Sequence, residues 1–241
     1  MANAGINQPD YTHMPARKLV VALFVKAGRR VKRLFVPPTR MTWTVQGVSD
    51  ADGPTANVRN YIERRTIRSL LARAAGGKKF KRACEVGCGY GRLVMTLKEF
   101  ADEAVGFERE PQLVEIAKTL LPDLSFVNVQ SLDKLPDPGP FDLAMTVTVL
   151  QHLTDEHARR VCAEIRRLVP SGGHVLLIEK NEEIGTSENK TDEADFISRA
   201  RSVETYAEYM APFKLIHTEP RFLEPTYFNK RPGTCMLFQA P

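Results

Sequence analysis

The chain has 241 residues, of which 43% are hydrophobic and 26% charged, as in an ordinary soluble globular protein. A chain of this length forms one domain, or one domain with a small appendage, and needs no disulfide or structural metal to fold. Its four cysteines form no CxxC pair and no zinc-ligand spacing, so we expect free thiols and no metal site. The apolar run at 19–25 is too short to span a bilayer, and we expect a cytoplasmic protein.

Positive charge is concentrated at the start of the chain. Residues 1–82 hold 17 Lys and Arg against 4 Asp and Glu, whereas residues 83–241 hold 17 against 25. This asymmetry indicates either an acidic partner or a basic segment that lies against an acidic body. Residues 17–35 have the pattern of a basic amphipathic helix, for which a weak contact with a membrane surface is one hypothesis.

The hydrophobic pattern predicts an N-terminal tail and basic cap segment over residues 1–57, followed by one domain over 58–241. Short apolar runs alternate with amphipathic ones, which favours a parallel sheet with helices on both faces. An insert that forms a substrate lid is predicted over about 181–212, and its residues 181–195 have the composition of a polar loop. In chain order the predicted elements are a loop at 47–56, a helix at 58–75, a strand at 82–87, a helix at 92–100, a strand at 103–108, a helix at 111–121, strands at 124–129 and from 141, a helix at 155–168, a strand at 172–179, a helix at 203–210, and strands at 214–220 and 234–240.

The most informative stretch is EVGCGYGR at residues 85–92, where a predicted strand gives way to a helix. Its three alternate glycines allow a tight turn and let a ligand approach the backbone closely. Dinucleotide-binding turns have the spacing G-x-G-x-x-G, and here Arg92 takes the place of the third glycine of that pattern. The carboxylate of Glu85 would repel a pyrophosphate, but it suits a cationic ligand.

Residues 85–92 resemble motif I of the class I S-adenosylmethionine-dependent methyltransferases, and later segments match this family in order and spacing to about residue 180. The resemblance implies a Rossmann-like, seven-stranded and mostly parallel sheet in the order 3-2-1-4-5-7-6. It further implies that the last strand is antiparallel, that helices lie on both faces and that an N-terminal helical lid is present. It also implies S-adenosylmethionine as cofactor. The positions that match the family's cofactor-binding residues are Glu85, Gly87, Cys88, Gly89, Gly91, Arg92, Glu108, Arg109, Ser131, Leu132 and Thr146.

Three of these positions carry specific implied roles. Glu108 ends the second strand, like the acidic residue of the family that accepts hydrogen bonds from both ribose hydroxyls. Ser131 stands where an aspartate is common and is either an adenine contact or only a turn residue. The backbone near Thr146 lies along the methionine part of the cofactor in this family.

Methyl transfer from a sulfonium depends mainly on positioning, and it needs a general base only where the acceptor must lose a proton. His152 follows the fourth strand and is the candidate base, with a substrate-lining or a structural role as the alternatives. The candidate substrate-binding residues are Tyr61, Gln151, His152, Arg201 and Tyr206, each of which has a core or surface role as its alternative.

The sequence favours a methyltransferase that acts on a small molecule or peptide by N- or O-methylation. One alternative is a nucleic-acid methyltransferase that uses the basic N-terminal region. The chain lacks both the double-proline motif of enzymes that methylate exocyclic amines and the Pro-Cys nucleophile of cytosine-C5 enzymes, so nucleic acid is the less favoured partner. The other alternative is a non-catalytic cofactor-binding scaffold. Neither the methyl acceptor nor the oligomeric state follows from the sequence.

Overall fold

A computed structural model describes residues 53–136, 139–181, 199–221 and 233–241, all within the unit formed by residues 47–241. The predicted N-terminal tail, the basic segment 17–35 and most of the polar loop after residue 181 lie outside the described residues. The helices and strands, in chain order, are α1 (Gly53–Ala75), β1 (Phe80–Val86), α2 (Val94–Phe100), β2 (Ala101–Glu108), α3 (Pro111–Leu120), β3 (Ser125–Asn128), β4 (Leu143–Val147), a 3₁₀ turn (Leu150–His152), α4 (Asp155–Leu168), β5 (His174–Glu179), α5 (Val203–Met210), β6 (Lys214–Pro220) and β7 (Thr234–Gln239).

The strands form one seven-stranded sheet in the order β3-β2-β1-β4-β5-β7-β6. Strands β1 to β5 are paired in parallel, and β7 is antiparallel to both of its neighbours, β5 and β6. The predicted strand order, the antiparallel last strand and the placement of helices on both faces are confirmed. The chain reverses its winding direction between β1 and β4, and open α/β sheets bind ligands at the carboxyl ends of the strands at such a point.

Helices cover both faces of the sheet because the central strands are apolar on both sides. All five residues of β4 are buried, as is typical of a parallel strand between two helical layers. Helices α1, α2 and α3 pack on one face, and α4 and α5 pack on the other. Representative residues of the first layer are Leu70, Leu97, Ala117, Leu143 and Leu176, and those of the second are Phe107, Phe141, Ile165, Tyr206 and Phe238.

Most predicted elements agree with the structure, and α1 shows the main difference. The helix begins at Gly53, within the predicted loop 47–56, and not at residue 58. The sequence Gly53-Pro54 is typical of a turn. Proline is nevertheless tolerated in the first turn of a helix, because an N–H group there would have no intrahelical acceptor. The predicted domain boundary at residue 57 stays a prediction. None of the helices that the structure describes is long and apolar enough to cross a membrane.

Candidate functional site

The glycine turn, which we define as residues 87–91, connects β1 to α2 at the carboxyl edge of the sheet. The N–H groups of Gly87 and Cys88 donate to the carbonyl oxygen of Phe107, at 2.8 and 3.0 Å, which fixes the turn against β2. Gly87 has a φ of +75°, and a Cβ there would lie 2.5 Å from Cγ2 of Val149. Gly89 has a φ of +57°, but a Cβ there would meet no atom within 4 Å. The turn is therefore packed on one side and open at Gly89, where a ligand can approach the backbone.

Glu108 closes the next strand beside this turn and is 8% exposed. Its Oε2 accepts a hydrogen bond from the N–H of Gly89 at 2.8 Å. Its Oε1 accepts from the N–H groups of Arg109 and Glu110 at 2.7 and 3.0 Å. The carboxylate is thus fixed at the mouth of the turn, in the position predicted for the ribose-binding residue.

Glu85 lies at the carboxyl end of β1 and is 3% exposed. Its Oε2 is buried and accepts no hydrogen bond from any residue that the structure describes. Burial raises the pKa of Glu85 to about 8, Glu63 and Glu108 act in the same direction, and Arg92 opposes them. A buried carboxyl group that lacks a donor is expected to bind a cationic group strongly once it is ionised.

Arg92 follows the glycine turn, and its guanidinium points to α1. Its Nη1 lies 2.7 Å from Oε2 of Glu63 and donates to Oδ1 of Asn60, also at 2.7 Å. Glu63 in turn accepts from Nε of Arg221 at 2.6 Å. The side chain of Arg92 is therefore committed to this ion-pair cluster, and its predicted contact with the cofactor stays a prediction.

The segment after β3 carries the predicted adenine-side residues. Ser131 donates its hydroxyl proton to Oδ1 of Asp133, and Oδ2 of Asp133 accepts from Nε of Arg160 at 2.7 Å. These two hydrogen bonds hold the pKa of Asp133 below its usual range. Leu132 lies beside the glycine turn, with its Cδ1 3.5 Å from where a Cβ on Gly87 would stand. The loop after β3 is thus held by side-chain hydrogen bonds and lies next to the turn.

Cys88 and Arg109 complete the predicted cofactor set near the turn, together with Thr146 on β4. The Cys88 side chain is buried under the turn, and burial raises the pKa of its thiol well above the usual value. The side chain of Arg109 is largely exposed and pairs with Glu110 at 3.0 Å. Thr146 is fully buried, and its Oγ1 has no partner among the described residues.

The segment that follows β4, which we call the acceptor turn, comprises residues 148–153. The buried carboxylate of Glu179, at the end of β5, accepts the N–H groups of Val149, Leu150 and Gln151 at 3.0, 3.1 and 3.0 Å. Burial raises the pKa of Glu179 to about 7, although these three hydrogen bonds and Arg221 favour its ionised form. Glu179 thus fixes the backbone on which Gln151 and His152 are carried.

Gln151 determines the orientation of the His152 ring. Oε1 of Gln151 accepts from the N–H of Lys180 at 3.1 Å, so the amide nitrogen of Gln151 is the atom that faces His152. This nitrogen lies 2.9 Å from Nε2 of His152. Because the amide nitrogen can only donate, Nε2 accepts, and the proton of the neutral ring is on Nδ1.

The other predicted substrate residues lie in different environments. Arg201 is 3% exposed, donates to the carbonyl oxygens of Leu150 and Leu153 at 2.7 and 2.6 Å, and pairs with Asp155 at 2.8 Å. Its buried guanidinium therefore fixes the backbone of the acceptor turn through these two carbonyl oxygens. Tyr206 is 1% exposed in the core. Tyr61 is 64% exposed on α1. The structure brings Gln151 and His152 together, and the substrate roles of all five residues stay predictions.

Thr148 adopts a strained conformation at the start of the acceptor turn. Its φ is +56°, a left-handed value that a β-branched residue rarely adopts. Its N–H donates to the carbonyl oxygen of Ile178 at 2.8 Å, which extends the contact between β4 and β5. Strain of this kind persists only where the surrounding contacts enforce it, and it is frequent at functional sites.

Replacing Thr148 by glycine should raise the free energy of unfolding by about 1 kcal/mol, since relief of the strain exceeds the entropy that glycine adds to the unfolded chain. Urea denaturation measures this change. Thr148→Ala, which keeps the Cβ but loses the branch, should give a smaller gain. A Thr148→Gly protein less stable than the wild type would show that the left-handed conformation carries no strain.

Three important residues were missed by sequence reasoning. Glu63 lies in α1, Glu179 ends a strand whose other buried positions are apolar, and Asp133 lies in a polar loop. A glutamate within an otherwise apolar run such as HVLLIE is the one signal that identifies a buried carboxylate in advance. Asp142, directly before β4, accepts the N–H groups of Lys81 and Arg82 at 2.6 and 3.1 Å.

A family model described as a methyltransferase domain matches residues 83–173. These residues are a class I methyltransferase domain. The predicted family is thereby confirmed, and the match covers the glycine turn, Glu108 and the acceptor turn.

Among curated proteins, the domain is similar to YcgJ of Bacillus subtilis, an uncharacterized methyltransferase, with 23% identity over 115 residues. The matched part covers 46% of this chain and 45% of YcgJ, so it spans less than half the length of that relative.

Two solved structures share the fold. The N-methyltransferase NodS from Bradyrhizobium japonicum, in complex with S-adenosyl-L-homocysteine, has a TM-score of 0.58 at 14% identity and is matched over 73% of this chain and 87% of that one. The magnesium protoporphyrin IX methyltransferase from Synechocystis, with bound S-adenosylmethionine, has a TM-score of 0.58 at 12% identity. That match covers 95% of this chain and 99% of the other.

Proposed function

We propose that this methyltransferase domain transfers the methyl group of S-adenosylmethionine to a nitrogen or oxygen atom of a small molecule or peptide. The observation that carries the proposal is the glycine turn between two buried carboxylates. Glu85 and Glu108 end adjacent strands, and Gly89 between them is open to a ligand. This arrangement suits a ligand with one cationic end and one pair of hydroxyl groups.

The residues at the site fit this cofactor. Glu85 has a buried oxygen that receives no hydrogen bond within the described part of the chain, which suits the ammonium of the methionine part. Glu108 is positioned to accept from ribose hydroxyls, and Leu132 packs beside the turn on the side proposed for adenine. S-adenosylmethionine supplies a methyl group that the sulfonium has already activated. The task left to the protein is to hold the acceptor atom in line with this methyl group.

The acceptor turn is the part of the chain proposed to orient the acceptor. Glu179 and Arg201 hold its backbone from two sides, so Gln151 and His152 are carried on a rigid support. With its proton on Nδ1, His152 has a neutral ring whose Nε2 lone pair receives the amide of Gln151. An acceptor hydroxyl that displaces this amide would find a base at Nε2, whereas a neutral amine acceptor needs only positioning.

The proposal is tested first by calorimetry with S-adenosylmethionine and S-adenosyl-L-homocysteine. Binding of both is expected, and a response to a nicotinamide or flavin dinucleotide in their place would contradict the proposal. Metabolite, peptide and nucleic-acid extracts are then incubated separately with methyl-labelled cofactor, and the labelled products are identified by mass. Label that enters nucleic acid and no small molecule or peptide would favour the nucleic-acid alternative.

Replacing His152 by alanine should lower turnover at least tenfold with little change in cofactor affinity, as is typical of a lost general base. Steady-state kinetics with the identified acceptor measure the first quantity and calorimetry the second. His157→Ala is the matched control, because this exposed histidine lies on α4 just beyond the acceptor turn. A turnover near the wild-type value would remove His152 as the base.

A further inference from the structure

Three distant segments of the chain meet at the carboxylate of Glu63, which is 1% exposed. Arg92, directly after the glycine turn, lies 2.7 Å from Oε2. Arg221, at the end of β6, donates from Nε to Oε1 at 2.6 Å. Asn60, one turn earlier in α1, accepts from the same nitrogen of Arg92 at 2.7 Å. One buried carboxylate thus holds two guanidinium groups, and one of them borders the cofactor site.

Glu85 and Arg92 lie on either side of the glycine turn, and the positive charge of Arg92 lowers the pKa of Glu85. A buried carboxylate and a nearby guanidinium attract each other strongly in a low-dielectric interior. Yet Glu85 Oε2 accepts no hydrogen bond from the described residues, whereas Arg92 forms an ion pair with Glu63 and donates to Asn60. The guanidinium is therefore held by partners on α1, and neither of these two contacts is to Glu85.

We infer that Glu63 is a positioning residue that retains Arg92 on α1 and so keeps the carboxyl group of Glu85 available for the ammonium of the cofactor. This inference rests on the proposed function. Without Glu63, Arg92 would turn to Glu85 and form an internal ion pair at the place where the ligand must bind. The ligand would then have to break this pair, which reduces its affinity.

The test compares Glu63→Gln with the wild type by calorimetry, using S-adenosyl-L-homocysteine as the probe. We expect the dissociation constant to rise at least tenfold. The number of protons released on binding should fall toward zero, because Arg92 would already ionise Glu85 in the free protein. Measurements in buffers of different ionisation enthalpy give this number. If Glu63 has a purely structural role, Glu63→Gln should lower the melting temperature without changing the number of protons released on binding.

The double variant Glu63→Gln/Arg92→Met provides the decisive comparison. Because the competing guanidinium is removed, the double variant should bind the probe at least threefold more tightly than Glu63→Gln does, a difference of about 0.7 kcal/mol or more. If Glu63→Gln does not fold, Glu63→Asp takes its place. This variant shortens the side chain and should show a smaller loss of affinity for the probe.

The matched control is Glu99→Gln, which removes the exposed ion pairs between α2 and Arg64 and Arg68 of α1. This variant should bind as the wild type does. Wild-type affinity in Glu63→Gln, or a double variant as weak as Glu63→Gln, would overturn the inference. Failure of the wild type to bind the probe at all would instead refute the proposed function, so the two failures are distinguishable.

Discussion

Replacing Glu108 by alanine is expected to weaken the binding of S-adenosylmethionine by about 1.5–3 kcal/mol, or roughly 10- to 150-fold, the range for hydrogen bonds to a charged group. In the structure this carboxylate accepts three backbone N–H groups, one of them from Gly89 in the glycine turn. The substitution therefore removes the acceptor proposed for the ribose and also removes a hydrogen bond that fixes the turn. Calorimetry gives the affinity, and thermal melting of the free protein gives the cost to the fold.

Glu103→Ala is the control for this experiment. Glu103 lies on the same strand, and its carboxylate is half exposed and pairs with Arg82 at 2.6 Å, at the opposite end from the site. Surface ion pairs of this kind contribute little to stability. Cofactor affinity should be unchanged in this variant. An equal loss of cofactor affinity in both variants would mean that Glu108 affects binding only by stabilising β2 and not by contact with the ribose.

Replacing Glu85 by glutamine is expected to have two effects of opposite sign. Cofactor affinity should fall, because the ammonium loses its carboxylate partner. The free protein should become more stable above about pH 5, because it no longer has to bury a group that tends to ionise. Calorimetry and urea denaturation measure the two quantities on the same protein.

The pH dependence follows from the raised pKa of Glu85, about 8 against an ordinary value of 4.5. A group whose pKa is raised on folding contributes stability that is complete below pH 4.5 and is lost as the pH rises to 8. The stability difference between Glu85→Gln and the wild type should therefore grow over this window and level off above pH 8.

The contribution of Glu85 to cofactor affinity has the opposite pH dependence, because it increases as the pH rises. A bound ammonium lowers the pKa of Glu85, so binding releases a proton below pH 8. The ratio of wild-type to Glu85→Gln affinity should rise by up to about tenfold per pH unit until pH 8 and then remain constant. Because both proteins bind the same ligand, the ratio isolates Glu85 from the titration of the ligand. A ratio that does not change with pH would refute this role.

Glu115→Gln is the control for both measurements on Glu85. Glu115 is an exposed residue of α3 whose carboxylate pairs only weakly with Lys118, at 3.6 Å. Its substitution should change neither the stability difference nor the affinity at any pH.

Local patterns were sufficient to predict the helices and strands. The bounds of α4, α5 and β6 agree with the prediction. Thr154 caps α4, and its side chain accepts from the N–H of His157. The strand order came from the resemblance and not from the local patterns, because the pairing of β7 between β5 and β6 depends on contacts between distant residues.

The sequence by itself determined the alternation of helices and strands, the glycine turn and the acidic residues beside it, because these follow from local conformational preferences and spacing. Only the tertiary structure decided which charged groups meet. Glu63 and Arg221 are 158 residues apart and share a hydrogen bond, and Arg201 holds a turn about 50 residues away from inside the core. Such contacts arise because burial of a charge requires a partner wherever the fold brings one close, and no local pattern encodes that partner.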